Sequence, residues 1–214
     1  MPAPRADLRA LARFARNRAS AAAAGTRCEL CAAPLAEPHP HVVDRATRRI
    51  CCACPACGVL FAHEGAGGGR FRTVPERVLH DPALQLDEAA WNALGVPVRL
   101  AFFFLHSGLQ RCVAIYPGPA GTTEAEPEAA GWAQLQARTP LAAALQPDVE
   151  ALLVRGARNG ARFDVFLAPI STAYELAARV RGNWHGLDGG GEVRAELDRF
   201  FAGLRARSRP WGTP

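Results

Sequence analysis

The chain contains 214 residues, 49% of them hydrophobic, which is enough for a small module attached to one domain of ordinary size. Its formal net charge is +5 and all 25 basic residues are arginine, but the arginines gather near the two ends, which argues against a nucleic-acid partner. No run of about 18 apolar residues occurs and no apolar block follows a basic N-terminus, so the sequence predicts a cytoplasmic protein without a membrane span or a secretory signal.

The first segment, residues 1–25, contains a predicted amphipathic helix over residues 4–24. Leu8, Leu11 and Phe14 fall near one face of this helix and arginines surround the other. An alanine run then ends at Gly25, where the helix is expected to stop. This helix is interpreted as a cover for the rest of the protein or as a frayed leader.

A cysteine-rich segment follows, and residues 26–73 are predicted to form a metal-binding module. Six of the seven cysteines lie within residues 28–57. The pairs Cys28-Glu-Leu-Cys31 and Cys54-Pro-Ala-Cys57 are separated by 22 residues, which is the ligand spacing of a four-cysteine zinc ribbon or knuckle. In a reducing compartment such a cluster favours a metal over disulfides. Zinc held by Cys28, Cys31, Cys54 and Cys57 is therefore the first interpretation.

The same segment leaves alternatives open, because it contains more cysteines than one tetrahedral ion needs. Cys51, Cys54 and Cys57 form the Cys-x-x-Cys-x-x-Cys core of an iron–sulfur pattern, so an iron centre is the competing interpretation. Adjacent residues of a strand face opposite sides, so only one of Cys51 and Cys52 is expected to replace a ligand. Two further candidate ligands, His39 and His41, are interpreted as part of a solvated turn.

Three short strands are predicted around the cysteines. His41–Asp44 and Arg48–Cys52 read as a hairpin that leads into the second cysteine pair, and Gly58–Phe61 reads as a third strand. Pro55 and Gly58 suit a tight turn at that pair, with Gly58 free to adopt a positive φ. The glycine-rich stretch 64–70 lacks the lysine of a phosphate-binding loop and is interpreted as a connection.

Residues 74–208 are predicted to form an α+β domain. Two apolar strand pairs, each beside helical segments, favour a mostly antiparallel four-stranded sheet with helices on one face. The predicted strands are 97–106 and 109–116, joined by Ser107-Gly108, and 149–154 and 162–169, joined around Asn159-Gly160. Helices are predicted over 87–94, 128–138, 172–181 and 189–207.

This domain contains no catalytic motif that its residue pattern reveals, which favours a non-catalytic protein. Cys112 stands in an apolar strand and is interpreted as a buried, inert thiol. The polar loop Trp184–Glu192 could build a binding surface, but a hinge between two helices is the favoured interpretation.

Seven stretches carry a family resemblance over nearly the full length: Cys28-Glu-Leu-Cys31, His41-Val-Val-Asp44, Cys52-Ala-Cys54 with Cys57, residues 67–72, Leu100–Phe104, Gln146–Val154 and Trp184–Asp188. The chain resembles an uncharacterised bacterial family of about this length whose genes tend to lie in operons for uptake nickel–iron hydrogenases. In that resemblance the position of Cys52 belongs to the pattern, whereas Cys51 is an addition. The resemblance implies an accessory role near a hydrogenase and lends no activity.

These observations lead to one hypothesis and one alternative. The hypothesis is a non-catalytic, zinc-binding accessory protein that docks on a hydrogenase subunit or a maturation protein. The alternative is a redox carrier that serves the hydrogenase with a rubredoxin-like iron or an iron–sulfur cluster.

Overall fold

The computed structural model describes residues 27–118, 121–156, 162–181 and 190–212. The predicted helix over 4–24, the Asn159-Gly160 turn and most of the Trp184–Glu192 loop lie outside these ranges. Within them are ten strands: β1 (His41–Asp44), β2 (Arg49–Cys52), β3 (Phe71–Thr73), β4 (Leu79–His80), β5 (Leu100–His106), β6 (Arg111–Gly118), β7 (Gly121–Ala125), β8 (Glu150–Gly156), β9 (Phe163–Pro169) and β10 (Arg209–Pro210). The α-helices are α1 (Pro55–Leu60), α2 (Glu88–Asn92), α3 (Ala129–Arg138), α4 (Leu141–Ala144), α5 (Ile170–Arg181) and α6 (Gly190–Arg207).

The cysteine module is built on a three-stranded antiparallel sheet in the order β2-β1-β3. The predicted hairpin of β1 and β2 is confirmed, with His41 opposite Cys52 and Asp44 opposite Arg49. Asp44 is buried and accepts hydrogen bonds from Arg70 Nε and Nη2 at 2.9 and 2.6 Å. The Arg70 guanidinium holds the pKa of this carboxyl well below its usual range, so the pair fastens the hairpin to the segment that enters β3.

The prediction of a strand at Gly58–Phe61 is wrong, because residues 55–60 form α1. Pro55 begins this helix, where the missing N–H of proline costs no helical hydrogen bond. A Cβ on Gly58 would lie 3.0 Å from the Cβ of Pro40, so the glycine permits a close approach and does not supply a positive φ. The third strand is instead β3, and residues 64–70 connect α1 to it within the module.

The larger sheet has seven strands and not the four that the sequence predicts. Their order is β10-β4-β9-β8-β5-β6-β7, and only the edge pair β10–β4 is parallel among the described strands. The two predicted hairpins form its centre as β5–β6 and β8–β9. The additions are β7, which pairs with β6, and the two-residue strands β4 and β10 at the opposite edge. The expected α+β class is confirmed.

Helices and loops cover both faces of this sheet, so the prediction of helices on one face is also wrong. Five consecutive residues are buried in β5 and again in β8, and consecutive strand residues point to opposite faces. Both faces of the sheet must therefore be covered and shielded from water. Strands buried on both faces have sequences that are apolar throughout instead of alternating. One core contains side chains of α5 and α6 with Phe102, Phe104 and Phe166, and the other contains Trp91, Phe103, Leu135 and Leu141.

The cysteine module contacts the larger sheet through both apolar and charged groups. Val43 of β1 belongs to the core beneath α5 and α6. Arg45, next along the hairpin, donates from Nε to Asp148 Oδ2 at 2.8 Å and from Nη2 to Ser107 Oγ at 2.5 Å. Asp148 is mostly buried and also accepts from the Ser107 backbone N–H at 2.9 Å. These contacts fix the orientation of the β1–β2 hairpin, which leads into the second cysteine pair.

Across the described ranges, the protein has no helix whose length and apolar character would let it cross a bilayer.

Candidate metal centre

Two turns of different construction carry the four predicted ligands. Cys28 begins a tight turn in which its carbonyl accepts from the Ala32 N–H at 2.8 Å and its own N–H donates to the Ala33 carbonyl at 2.8 Å. Ala32 adopts a left-handed φ of 63°, which closes this turn just after Cys31. The second pair lies at the start of α1, where Cys54 is the N-terminal cap residue. Residues three apart on a helix share a face, so Cys57 points the same way as Cys54.

The two turns bring all four sulfur atoms together, as the spacing predicted. The Sγ atoms of Cys28, Cys31, Cys54 and Cys57 all lie within 4.8 Å of one another. The Sγ atoms of Cys31 and Cys54 are 3.6 Å apart. A tetrahedral ion with metal–sulfur bonds of about 2.3 Å separates its sulfur ligands by about 3.8 Å. The four sulfurs could therefore hold one metal ion with little movement.

Burial encloses the cluster on most sides. Cys28, Cys54 and Cys57 are buried, and Cys31 is the exposed member. The surrounding packing comes from Val42 and Ala53, both fully buried, with partly buried neighbours Leu30, Ala33, Leu35, Phe61 and Phe71. An ion at this position would lie in an apolar pocket that reaches solvent beside one thiolate.

The thiols of this cluster differ in how readily they ionise. Burial opposes ionisation of Cys28, but backbone N–H groups of Cys54, Cys31 and Leu30 donate to its sulfur and bring its pKa down to about 6. Burial and the three neighbouring sulfurs raise the pKa of Cys57 to about 12. The protein itself stabilises the Cys28 thiolate. Further thiolates beside it need a bound cation to balance their charge. The four cysteine sulfurs are thus suited to hold a divalent ion as thiolates.

The remaining cysteines do not join this cluster. Cys51 is fully buried opposite Val42 in the hairpin, so the run Cys51, Cys54 and Cys57 does not converge on one point. Cys52 faces the other side of β2, where its sulfur lies within 4.8 Å of ring nitrogens of His39 and His41. The assignment of these histidines to a solvated turn is wrong, since His41 is in β1 and the His39 side chain is only 9% exposed.

Sequence reasoning missed this histidine grouping, although a signal was present. His39 and His41 are two residues apart in an extended segment, which places both side chains on one face. By contrast, the interpretation of Cys112 agrees with its place in the second core, where burial raises the pKa of its thiol to about 12.

A family model described as a family of unknown function (DUF5947) matches residues 27–208. The chain belongs to this family. The DUF5947 match includes both the cysteine module and the larger sheet, so the two parts belong to one family unit. Neither the curated proteins nor the solved structures include a significant match to this DUF5947 chain.

Proposed function

We propose that this DUF5947 protein is a non-catalytic, zinc-binding accessory protein that associates with a nickel–iron hydrogenase. The observation that carries the metal-binding part is the convergence of four cysteine sulfurs within 4.8 Å of one another. Zinc is the proposed ion because a tetrahedral shell of four thiolates is its usual structural site. The association with a hydrogenase rests on the family resemblance of the sequence.

A structural role follows from the donor set. Four thiolates complete a tetrahedral shell and leave no open position at which a substrate or water could bind. The free energy of binding such an ion stabilises the folded form of the segment that contains the ligands. Zinc would hold the Cys28 turn against the start of α1, and the hairpin between them carries Arg45 to its partners on the larger sheet. The ion would thereby fix the surface that the module presents to a partner.

The alternative function is a redox carrier, and the exposure of Cys31 favours it. A single iron bound by the same four sulfurs would have one ligand at the surface, where electrons could pass to a partner. Sulfurs this close to one another enclose one ion and leave no room for a cluster of several irons. The alternative is therefore restricted to a rubredoxin-like iron.

Metal analysis of the protein expressed with iron and zinc both supplied separates these functions. We expect a colourless protein that contains zinc in the four-cysteine site. We expect Cys57→Ser to lower the affinity for this ion by more than about a hundredfold. Even the loss of a group that only orients a ligand lowers metal affinity by about 10–100-fold. The matched control is Cys112→Ser, which should keep the ion. Visible absorption that bleaches with dithionite would contradict the zinc site and support the iron carrier.

The hydrogenase association has its own test. A hydrogenase subunit or a maturation protein should copurify with the native protein from cells that produce the hydrogenase. We expect Cys57→Ser to lose this partner and Cys112→Ser to retain it, because only the first change removes a metal ligand. A zinc-loaded protein that purifies without any hydrogenase component would contradict the association and leave the metal site unaffected.

A further inference from the structure

A second group of potential ligands lies on the face of the module that carries Cys52. The Sγ of Cys52 and one ring nitrogen each from His39 and His41 lie within 4.8 Å of one another, and all three residues are partly buried. None of them belongs to the four-cysteine cluster. The imidazole rings of His39 and His41 have their centroids 5.2 Å apart and are tilted by 43°, so they are not stacked face to face.

The backbone builds this group from two regular patterns. His39 precedes Pro40, which restricts His39 to extended backbone angles, and His41 begins β1, so the two alternate residues share a face. His41 pairs directly with Cys52 across the β1–β2 hairpin, and directly opposed residues point to the same side of a sheet. The hairpin thus delivers two imidazoles and one thiol to one point and directs Cys51 to the other side.

The ring of His39 is held in the orientation of a metal ligand. Its Nδ1 lies 3.2 Å from the Ala36 carbonyl oxygen and 3.4 Å from Glu37 Oε1, so this nitrogen is set to carry the proton and donate it. Its Nε2 is buried and has no hydrogen-bond partner. Histidines that bind metals place one ring nitrogen on a carbonyl or carboxylate in this way and offer the lone pair of the other.

We propose that His39, His41 and Cys52 form a second metal site, which binds a zinc-class transition-metal ion through two imidazoles and one thiolate. Mixed nitrogen and sulfur donors suit zinc and its neighbours in the first transition row. The Cys52 backbone N–H donates to Glu29 Oε2 at 2.7 Å, which holds a carboxylate beside the site and favours a cation there. Three protein ligands leave a fourth position open to water or to an outside ligand, unlike the closed four-cysteine centre.

Zinc and cobalt titrations of the full-length metal-free protein test this proposal. We expect two ions per chain in the wild type and one ion per chain in the double variant His39→Asn with His41→Asn. His63→Asn is the matched control, because His63 is exposed and belongs to neither group of ligands, and it should keep two ions. In the cobalt protein, Cys52→Ser should remove one thiolate's share of the near-ultraviolet charge-transfer absorption, from five thiolates to four.

Histidine nitrogen shifts in the wild type provide a readout that does not depend on the folding of a variant. When the second equivalent of zinc is added, the Nε2 signal of His39 and one ring nitrogen of His41 should move to metal-bound values. Saturation of the wild type at one ion that the double variant also binds, or two ions in the double variant, would overturn the proposal. Unchanged histidine signals at two equivalents would do the same. One ion in the wild type and none in the double variant would support the second site and show instead that the four-cysteine centre is empty, so the failure of each site is recognised separately.

Discussion

Cys28 is the thiol of the four-cysteine cluster that the protein itself prepares as an anion. Backbone N–H groups of three residues point at its sulfur and outweigh the effect of burial, so its pKa is about 6. Burial and the neighbouring sulfurs raise the pKa of Cys57. At Cys31 the Ala33 backbone N–H lowers the pKa, but the sulfurs of Cys28 and Cys54 raise it, and the net shift is upward. At neutral pH the metal therefore has one ligand ready and must displace protons from others.

The sign of this effect predicts how zinc uptake depends on pH. A lowered pKa means that Cys28 is already ionised above about pH 6 and becomes protonated as the pH falls through that value. We expect the first equivalent of zinc to release one proton more at pH 5 than at pH 7.5, with affinity falling correspondingly faster in acid. Calorimetry in buffers of different ionisation enthalpy counts these protons. Equal counts at the two pH values would show that Cys28 keeps an ordinary pKa in the metal-free protein.

Residue spacing alone was enough to predict that the four cysteines converge, and it was not enough for the histidines. Two residues between the members of each pair place both sulfurs on one turn, whatever the rest of the fold does. His39 and His41 come near Cys52 only because His41 is opposite Cys52 in the hairpin. That pairing depends on where the turn begins and ends, which the sequence predicts only approximately. The predicted strand starts at Arg48, whereas β2 starts at Arg49.

At the scale of elements, the predicted hairpins of the larger sheet are those with long apolar strands. β5 with β6 and β8 with β9 each contain enough apolar residues for the pattern to be visible. The strands β4 and β10 have two residues each and no period at all, so they form only because a sheet edge offers unpaired backbone groups, β4 on the edge of β9 and β10 on the edge of β4. The same apolar runs contained the signal for two covered faces, since a strand with one wet face alternates.

A buried ion pair attaches the segment before β4 to the centre of the larger sheet. Glu150 at the start of β8 is fully buried and accepts from Arg77 Nε and Nη2 at 2.6 and 2.8 Å. We expect Arg77→Ala to lower the free energy of unfolding by about 3–5 kcal/mol, because it leaves the Glu150 carboxylate buried without its charge partner. Urea denaturation of the zinc-loaded protein measures this loss.

The matched control is an ion pair of similar geometry at the surface. Arg48 donates to both carboxylate oxygens of Glu124 at 3.3 and 3.0 Å, and both side chains are well exposed. Glu124→Ala should cost less than about 1 kcal/mol, because water screens an exposed pair and replaces its hydrogen bonds. Equal losses in the two variants would contradict the argument from burial.

At the scale of the whole molecule, the question is how far the cysteine module and the larger sheet depend on each other. The sequence predicted a boundary at residue 74, and β3 ends at Thr73. Yet Val43 belongs to a core of the larger sheet, and Arg45 binds Asp148 and Ser107. The module therefore contacts the larger sheet and its loops through Val43 and Ile50 and through several arginine contacts, among them that of Arg48 with Glu124, while the sheet has two cores of its own.

Removal of the metal should accordingly affect the two parts unequally. We expect backbone hydrogen exchange in residues 28–73 to become much faster after chelation, because the four sulfurs no longer hold the two turns together. The strands β5, β8 and β9 should keep most of their protection, since their cores do not include the four clustered cysteines. Exchange measured peptide by peptide on both forms tests this difference. Loss of protection in β8 and β9 would mean that the two parts unfold as one unit.

The four-residue turn 45–48 between β1 and β2 decides which of the adjacent cysteines Cys51 and Cys52 lies opposite His41. One residue inserted between the strands, with the turn itself still four residues long, would shift the pairing by one residue, bring Cys51 opposite His41 and send Cys52 inward. Within DUF5947, an insertion between the two strands that keeps the four-residue turn and the position of the neighbouring thiol should therefore change together. A relative with such an insertion would need its partner sulfur one place earlier, and an alignment that ignored the strand pairing would record that exchange as a lost cysteine.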